Sequence, residues 1–279
     1  MVILEILKAI LFGIVEGVTE WLPVSSTGHM ILLDEFVHLK VSPEFYKMFQ
    51  VVIQLGAILA VILLFFHKLN PFAPSKSSVQ KKNTWQLWFK VVVAVIPSAV
   101  IGLLLDDWMD EHLYKYIVVA ITLILYGIAF IFMEKYNARR RLKIESVDDI
   151  DYRTAILIGA FQCLSLIPGT SRSGATILGA LVLGVARPAG AEFSFFLAIP
   201  TMLGASALKL LKFLLSGVNA TGLDITLLAV GCVVSLIVSL LVIKGLMEYV
   251  RKRSFKVFGI YRIALGVLVI GYFVVKTIV

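Results

Sequence analysis

Six apolar segments, each about as long as a membrane-spanning helix, recur along the 279-residue chain. A helix that crosses the hydrocarbon core of a bilayer needs about 20 predominantly apolar residues. Hydrophobic residues make up 59% of the sequence and charged residues 16%, against about 45–50% and 25% in soluble domains. We therefore predict an all-α polytopic membrane protein, with one integral membrane domain over residues 1–279. The six predicted spans are 47–67, 86–105, 115–133, 192–212, 225–243 and 257–276.

Two further apolar regions, 1–36 and 153–186, are interrupted by Gly, Pro, Ser and charged residues. Each is predicted to form a re-entrant helical hairpin, in which two short helices meet at a polar turn. Non-helical backbone at membrane depth is tolerated only where it is buried in protein or lines a cavity. We therefore expect both polar turns to lie inside the protein.

The basic residues are distributed unevenly between the two predicted sides of the membrane. The side with few basic residues also holds the acidic segment 106–111. Because cytoplasmic loops are enriched in Lys and Arg, both termini are predicted to lie outside. The formal net charge of +8 then reflects these loops and requires no nucleic-acid partner. The segments assigned to the cytoplasmic side are 68–84, 134–153, the turn at Arg187 and 244–256, and Lys90 and Arg262 are counted on the same side.

The two halves of the chain, about 1–133 and 153–276, carry traces of an internal repeat. Under the predicted topology, the first hairpin enters from outside and the second from inside, so the repeat is inverted. Repeats of this kind place a binding site near the membrane midplane, where broken helices meet. The matching positions, 146 residues apart, are Gly13 and Gly159, Ser25 and Ser171, Thr27 and Ser173, and Gly28 and Gly174.

Glu16 and Glu20 open the first polar turn and are four residues apart, so both carboxylates share one helix face. Two like charges at this spacing in a low dielectric cannot both stay ionised without compensation. Three outcomes are open: a divalent cation bridges them, an arginine pairs with them, or one carboxyl keeps its proton. Glu16 and Glu20 are the candidate metal ligands.

Small hydroxylated residues precede a glycine in both turns, in Ser25-Ser26-Thr27-Gly28 and in Ser171-Arg172-Ser173-Gly174. Such residues cap helix N-termini, and a helix N-terminus with free N–H groups binds anions. The second turn adds the guanidinium of Arg172, which suits bidentate contact with phosphate. Together the two turns predict a buried site for an anion.

His29 follows Ser26 by three residues, so the two side chains face the same way on a helix that begins at the serines. A histidine beside a serine is a base beside a nucleophile. Alternatively, His29 is the acid that protonates a leaving oxygen. The candidate catalytic residues are Ser26, His29, Glu20 and Arg172.

At these residues the chain resembles the undecaprenyl pyrophosphate phosphatase family, also called bacitracin-resistance proteins. The family's motifs match Glu16-Gly-Val-Thr-Glu20, the segment from Pro23 to His29, and the segment from Pro168 to Thr176. The similarity runs essentially the whole length and includes Glu192 to Pro200. Motifs of this length are highly specific.

The resemblance implies hydrolysis of undecaprenyl diphosphate, a C55 isoprenoid lipid, to the monophosphate. This reaction recycles the lipid carrier of peptidoglycan synthesis, so the resemblance implies a bacterial inner membrane, a site open to the outer face, and bacitracin resistance on overproduction. It also implies dependence on a divalent cation, Mg²⁺ or Ca²⁺. Active-site roles carry over to Glu16, Glu20, Ser26, His29 and Arg172. The candidate phosphate-binding residues are Arg172, Ser171, Ser173, Thr176, Ser25 and Thr27.

A secondary transporter or lipid flippase is the alternative, because broken helices and buried carboxylates in inverted repeats are also what transporters use. In that case Glu16 and Glu20 would couple protons and Arg172 would hold an anionic substrate. The sequence leaves open whether Ser26, His29 or water is the nucleophile. It leaves a homodimer open as well.

Overall fold

The computed structural model describes residues 2–140 and 142–278, and only the backbone of residues 106, 110, 277 and 278. Among the charged residues that were assigned to one side of the membrane, Arg141 and the side chains of Asp106 and Asp110 therefore lie outside the described residues. The described residues are almost entirely helical, with short 3₁₀ turns at Val147–Asp149 and Leu164–Leu166. The α-helices are α1 (Val2–Thr19), α2 (Ser26–Phe36), α3 (Pro43–Val52), α4 (Gln54–Leu64), α5 (Phe66–Leu69), α6 (Ser78–His112), α7 (Tyr116–Asn137), α8 (Tyr152–Cys163), α9 (Arg172–Val182), α10 (Arg187–Leu215), α11 (Gly222–Lys252) and α12 (Lys256–Ile278).

Six helical segments in the described ranges are long and apolar enough to cross a membrane, which confirms the six predicted spans. The observed segments are longer than the predicted ones, and those that begin with α3, α6 and α11 start at a capping Ser or Thr. Ser77 and Gln80, for example, form a reciprocal capping box that starts α6 eight residues before the predicted span. The segments are Pro43–Leu64, Ser78–Leu105, Tyr116–Asn137, Arg187–Leu215, Gly222–Lys252 and Lys256–Lys276.

The outer faces of the long helices carry large apolar side chains, among them Leu104 on α6, Phe132 on α7 and Leu241 on α11. An apolar surface of this extent is not stable in water, but it suits contact with lipid. The all-α, multi-pass membrane architecture predicted from the sequence is therefore confirmed.

Small residues let the helix backbones approach closely, as is typical of helix packing in membranes. Where α7 crosses α12, a Cβ atom on Gly127 would lie 2.6 Å from the carbonyl oxygen of Gly259, and one on Gly259 would lie 2.7 Å from that of Gly127. Neither position has room for a larger residue. α7 and α12 form the most extensive helix pair among the described residues.

Each of the two broken regions forms two short helices joined by a turn: α1 and α2 in the first, α8 and α9 in the second. α1 packs along α11, and α8 packs along α6. The matched residues Gly13 and Gly159 make these crossings, since added Cβ atoms would lie 2.7 Å from Gly231 O and 2.0 Å from Ala94 O respectively. These local similarities are those that an inverted repeat predicts. The repeat as a whole and the re-entrant course of the hairpins stay predictions.

The middle of α10 is buried nearly continuously from Ala189 to Met202. Its Phe195 packs edge-on against Trp21 of the first polar turn, with ring centroids 5.2 Å apart. α10 thereby supports the first turn, and the carbonyl oxygen of its Ser194 accepts a hydrogen bond from Arg172 of the second turn.

Candidate active site

Glu16 and Glu20 lie on one helix face, as their spacing predicts. The amide of Glu20 donates to the carbonyl oxygen of Glu16 at 3.0 Å, so the helical hydrogen-bond pattern continues one residue beyond α1. Both residues are buried, with 1% of Glu16 and 7% of Glu20 exposed. The Glu16 Oε1 atom has no hydrogen-bond partner among the described residues. A buried carboxylate oxygen in this state needs a proton or a cation.

The two polar turns share an unusual backbone conformation at Ser25 and Ser171. These are the two non-glycine residues with positive φ among those described, with φ of 73° and 72°. In each turn the serine hydroxyl caps the next helix, accepting from the amide of Gly28 at 3.2 Å or of Gly174 at 3.1 Å. Such backbone costs about 1–3 kcal/mol per residue and is concentrated at functional sites.

Glu20 joins the two turns into one polar network. The Ser26 hydroxyl donates to Glu20 Oε2 at 2.8 Å. The other oxygen, Oε1, accepts from Arg172 Nη2 at 3.3 Å and from Nε at 3.4 Å. Ser26 and Glu20 belong to the first turn and Arg172 to the second, so residues 152 positions apart meet at one carboxylate. An arginine is thus one of the compensating charges for the acidic pair.

Arg172 is held in place on the sides that do not face Glu20. Its Nη1 donates to the carbonyl oxygen of Ser194 on α10 at 2.8 Å, and its guanidinium lies 5.6 Å from the ring centroid of Trp21. The side chain is 9% exposed. These contacts fix the position of a permanent positive charge beside the Ser26 hydroxyl, which donates to the Glu20 carboxylate.

No hydrogen bond joins His29 to Ser26 in the described structure. Its Nδ1 lies 2.7 Å from the carbonyl oxygen of Ser25, and its Nε2 lies 2.6 Å from the hydroxyl of Tyr261 on α12. A carbonyl only accepts, so Nδ1 carries a proton, and in the neutral ring Nε2 accepts from Tyr261. The two rings are stacked, with centroids 5.6 Å apart. In this arrangement Glu20, rather than His29, is the base within reach of the Ser26 hydroxyl.

The remaining candidate phosphate-binding hydroxyls differ in their accessibility. Ser173 and Thr176 are fully buried, and Thr176 bonds to Ser194 Oγ at 2.6 Å and to the carbonyl oxygen of Arg172 at 2.9 Å. Ser25 is also fully buried and Ser171 is partly buried, and both serve as helix caps. Thr27 lines an open cavity beside Ser26.

This cavity has a volume of about 380 Å³ and lies between α1, α2, α3 and α10. It contains both acidic and basic side chains and is large enough for a diphosphate. Three of its polar residues, Lys47, Gln50 and Gln54, follow one another at intervals of three and four along α3 and α4. This spacing within an otherwise apolar span indicates one polar face. None of the three was predicted to belong to the site. The lining residues are Glu16, Ser26, Thr27, Met30, Lys47, Gln50, Val51, Gln54, Tyr114 and Lys209.

The oxygen atoms in this region fit a divalent cation that is shared with a substrate. No group of three or more His, Cys, Asp or Glu side chains within the described residues forms a complete metal cage. Mg²⁺, however, is usually held by one or two carboxylates, with waters and substrate phosphates completing its coordination. Glu16 lines the cavity, and its buried, unpartnered Oε1 is a suitable ligand of this kind.

Arg262, which was counted with the basic residues of the cytoplasmic side, lies within α12 and not at the protein surface. It is fully buried, and its guanidinium bonds to backbone carbonyl oxygens of both polar turns. It stands in the second turn of α12, close in sequence to the basic segment 244–256, and the sequence analysis did not predict its contacts with the two turns. Its spacing from Gly259 and Gly266, which face α7, indicates that it points into the protein.

Comparison with known proteins gives matches over nearly the whole chain. The family described as bacitracin resistance protein BacA matches residues 9–268. Proteins named undecaprenyl-diphosphatase are 57% identical in Lactiplantibacillus plantarum, over 97% of this chain and 98% of the relative, and 54% identical in Enterococcus faecalis, over 98% and 99%. Undecaprenyl-diphosphatase 1 of Clostridioides difficile is 58% identical over 97% of both chains. The chain belongs to the bacitracin resistance protein BacA family.

Proposed function

We propose that this protein hydrolyses undecaprenyl diphosphate to undecaprenyl phosphate and inorganic phosphate. The observation that carries the proposal is the contact of Ser26 and Arg172 with the two oxygens of one buried carboxylate, Glu20. A nucleophile, a base and a permanent cation are thereby adjacent within a membrane-spanning protein. The names of relatives that are 54–58% identical support the same substrate.

The chemistry is phosphoryl transfer with Ser26 as the nucleophile. As the Ser26 oxygen attacks the terminal phosphorus, its proton passes to Glu20, and the bond from that phosphorus to the bridging oxygen breaks. Undecaprenyl phosphate leaves with the bridging oxygen. Water then cleaves the phosphoserine, which releases phosphate and restores the hydroxyl. Hydrolysis thus consumes one water for each phosphoanhydride bond.

Arg172 stabilises the negative charge of the transferring phosphoryl group. Electrostatic stabilisation of this kind is usually the largest contribution to the rate of phosphoryl transfer. The bonds from Arg172 to Ser194 O and to Glu20 hold the guanidinium in place before the substrate arrives. Little reorganisation is then needed during the reaction.

Glu16 and Glu20 are the residues that would hold a divalent cation, Mg²⁺ or Ca²⁺. Such an ion supplies charge neutralisation at the diphosphate when it is bound. Lys47 and Lys209 on the cavity wall add positive charge near the same position. The cavity would receive the diphosphate, and the isoprenoid tail would extend between helices toward the lipid.

In the cell, the proposed location is the bacterial inner membrane, with the site and both termini on the outer side. The positive-inside distribution of Lys and Arg supports this orientation. A tag-accessibility experiment on intact cells tests it: a C-terminal tag should react with an impermeant reagent before lysis. Reaction only after lysis would reverse the orientation.

Purified protein in detergent, supplied with undecaprenyl diphosphate and Mg²⁺, tests the proposed function. We expect one phosphate released per lipid monophosphate formed. No phosphate release would contradict it and would favour transport, because a transporter leaves the diphosphate intact.

Ser26→Ala tests the nucleophile. We expect it to abolish turnover, whereas Ser235→Ala should retain it, because Ser235 is a buried serine on α11 whose hydroxyl has no partner among the described residues. If Ser26→Ala kept a tenth or more of the wild-type rate, Ser26 would be excluded as the nucleophile and the phosphatase assignment would stand.

A further inference from the structure

Arg262 connects the two polar turns from a third part of the chain. Its Nη1 donates to the carbonyl oxygen of Pro23 in the first turn at 3.1 Å. Its Nη2 donates to the carbonyl oxygens of Gly169 and Thr170 in the second turn, both at 2.9 Å. One guanidinium on α12 thus spans the gap between two segments that are about 146 residues apart in sequence.

The surroundings of Arg262 are shaped to hold this side chain. Its guanidinium lies 5.4 Å from the ring centroid of Tyr126 on α7. A Cβ atom on Gly174 would lie 3.0 Å from Nη1, so a glycine there leaves the guanidinium its space. None of the ion pairs found among the described residues includes Arg262. A buried arginine without a carboxylate partner is costly at membrane depth, and such residues mark functional sites.

The carbonyl groups that Arg262 binds stand close in sequence to the proposed catalytic residues. Pro23 precedes Ser26 by three residues, and Thr170 precedes Arg172 by two. A second bond links the same two turns, because the Ser173 hydroxyl donates to the carbonyl oxygen of Glu20 at 2.9 Å. If these links are lost, the distance between Arg172 and Glu20 is no longer fixed by the backbone.

We propose that Arg262 is a positioning residue for phosphoryl transfer: it holds the two polar turns in the register that brings Arg172 and Ser26 to Glu20. It acts through the backbone and does not touch the substrate. The proposal rests on the proposed function. Through Arg262, α12, which also carries the Tyr261 hydroxyl bonded to His29, takes a direct part in the geometry of the site.

Arg262→Lys is the first test, because lysine keeps the charge but lacks the planar fork that reaches both turns. We expect kcat to fall by about tenfold or more, with KM changed by less than about threefold, since the lost alignment is needed mainly in the transition state. The matched control is Arg187→Lys, which disrupts the bonds from Arg187 to Glu134. That pair touches neither turn, so kcat should stay near wild type.

A double-mutant cycle separates positioning from a general effect on folding. Arg262 and Ser173 link the same turns, so their effects on kcat should be coupled. We expect the double variant Arg262→Lys with Ser173→Ala to deviate from the product of the single effects by about fivefold or more. The control pair, Arg187→Lys with Ser173→Ala, should agree with the product. Additive effects in both cycles would overturn the proposal.

A spectroscopic measurement distinguishes failure of this proposal from failure of the proposed function. Trp21 lies in the first turn, and the guanidinium of Arg172 lies over its ring, 5.6 Å from the centroid. In protein labelled with fluorotryptophan, we expect Arg262→Lys to shift the ¹⁹F resonance of Trp21, and Arg187→Lys to leave it in place. This readout does not depend on turnover. An unchanged Trp21 resonance together with wild-type kcat would show that Arg262 does not position the turns.

Gly174→Ala is the second variant, for use where Arg262→Lys does not yield monodisperse protein. The added Cβ atom would press on Nη1 of Arg262 while every side chain of the link is retained. The same loss of kcat and the same shift of the Trp21 resonance are expected. Wild-type values for both would contradict the proposal.

Discussion

Replacing Glu20 by glutamine removes one negative charge from the centre of the site and changes its shape little. The carboxylate accepts from Ser26 and twice from Arg172, whose Nη2 lies 3.3 Å from Oε1. At this distance and an effective dielectric of about 20, the Coulomb energy of the pair is about 5 kcal/mol. Breaking a buried ion pair by removing one partner typically costs about 3–5 kcal/mol of stability.

The rate of turnover should fall by more than the loss of folded protein explains, because Glu20 is also the proposed base for Ser26. Loss of a general base lowers the rate by about 10²- to 10⁴-fold. The assay is phosphate release from undecaprenyl diphosphate, expressed per folded protein as judged by size-exclusion chromatography. Thermal unfolding of the same samples gives the effect on stability.

Glu134→Gln is the matched control. Glu134 is 5% exposed and forms an ion pair with Arg187, whose side chain is 31% exposed, with Nε to Oε1 at 2.9 Å. Both variants should unfold at lower temperature, but only Glu20→Gln should lose activity per folded molecule. The proposed role of Glu20 is contradicted if Glu20→Gln turns over within about fivefold of wild type, or if Glu134→Gln loses as much activity per folded molecule as Glu20→Gln.

Three further results are expected. Chelation with EDTA should abolish phosphate release, and excess Mg²⁺ or Ca²⁺ should restore it, because Glu16 lines the cavity and its unpartnered Oε1 suits a cation. Full turnover in EDTA would show that the reaction needs no divalent cation. Gly159→Ala should destabilise the protein by about 1–3 kcal/mol, because the added Cβ would lie 2.0 Å from Ala94 O. Gly204→Ala, where the added Cβ meets open space, should leave the stability unchanged. Equal melting temperatures of the two variants would contradict the α6–α8 packing. Tyr261→Phe removes the hydroxyl bonded to His29 and should lower kcat by about three- to tenfold; an unchanged kcat would show that this bond does not support catalysis.

The spans and the two polar turns could be predicted from the sequence because membranes impose strict local rules. Apolar length fixes the six spans, and charged residues inside apolar regions mark functional positions. An arginine was one of the three compensations left open for the acidic pair, and Arg172 does contact Glu20. These features depend on composition and local spacing, which the sequence contains directly.

The partners of His29 and the role of Arg262 could not be predicted in this way, because both depend on which helices become neighbours. Spacing alone put His29 beside Ser26, but the turn at Ser25 directs the imidazole to Tyr261 on α12. Arg262 was counted only with the basic residues of the cytoplasmic side, because the sequence does not show that it lies on the face of α12 that packs against α7. Tertiary contacts between distant segments decide both cases.

The convergence of both polar turns on one diphosphate is the central claim, and photo-cross-linking tests it most directly. An isoprenoid diphosphate analogue with a photoreactive group on the terminal phosphate is bound to the wild-type protein, irradiated, and mapped by mass spectrometry. The account predicts labelled peptides from both 20–29 and 168–176, and loss of both labels when unmodified substrate is added in excess. Labelling confined to one turn, or to neither, would contradict it.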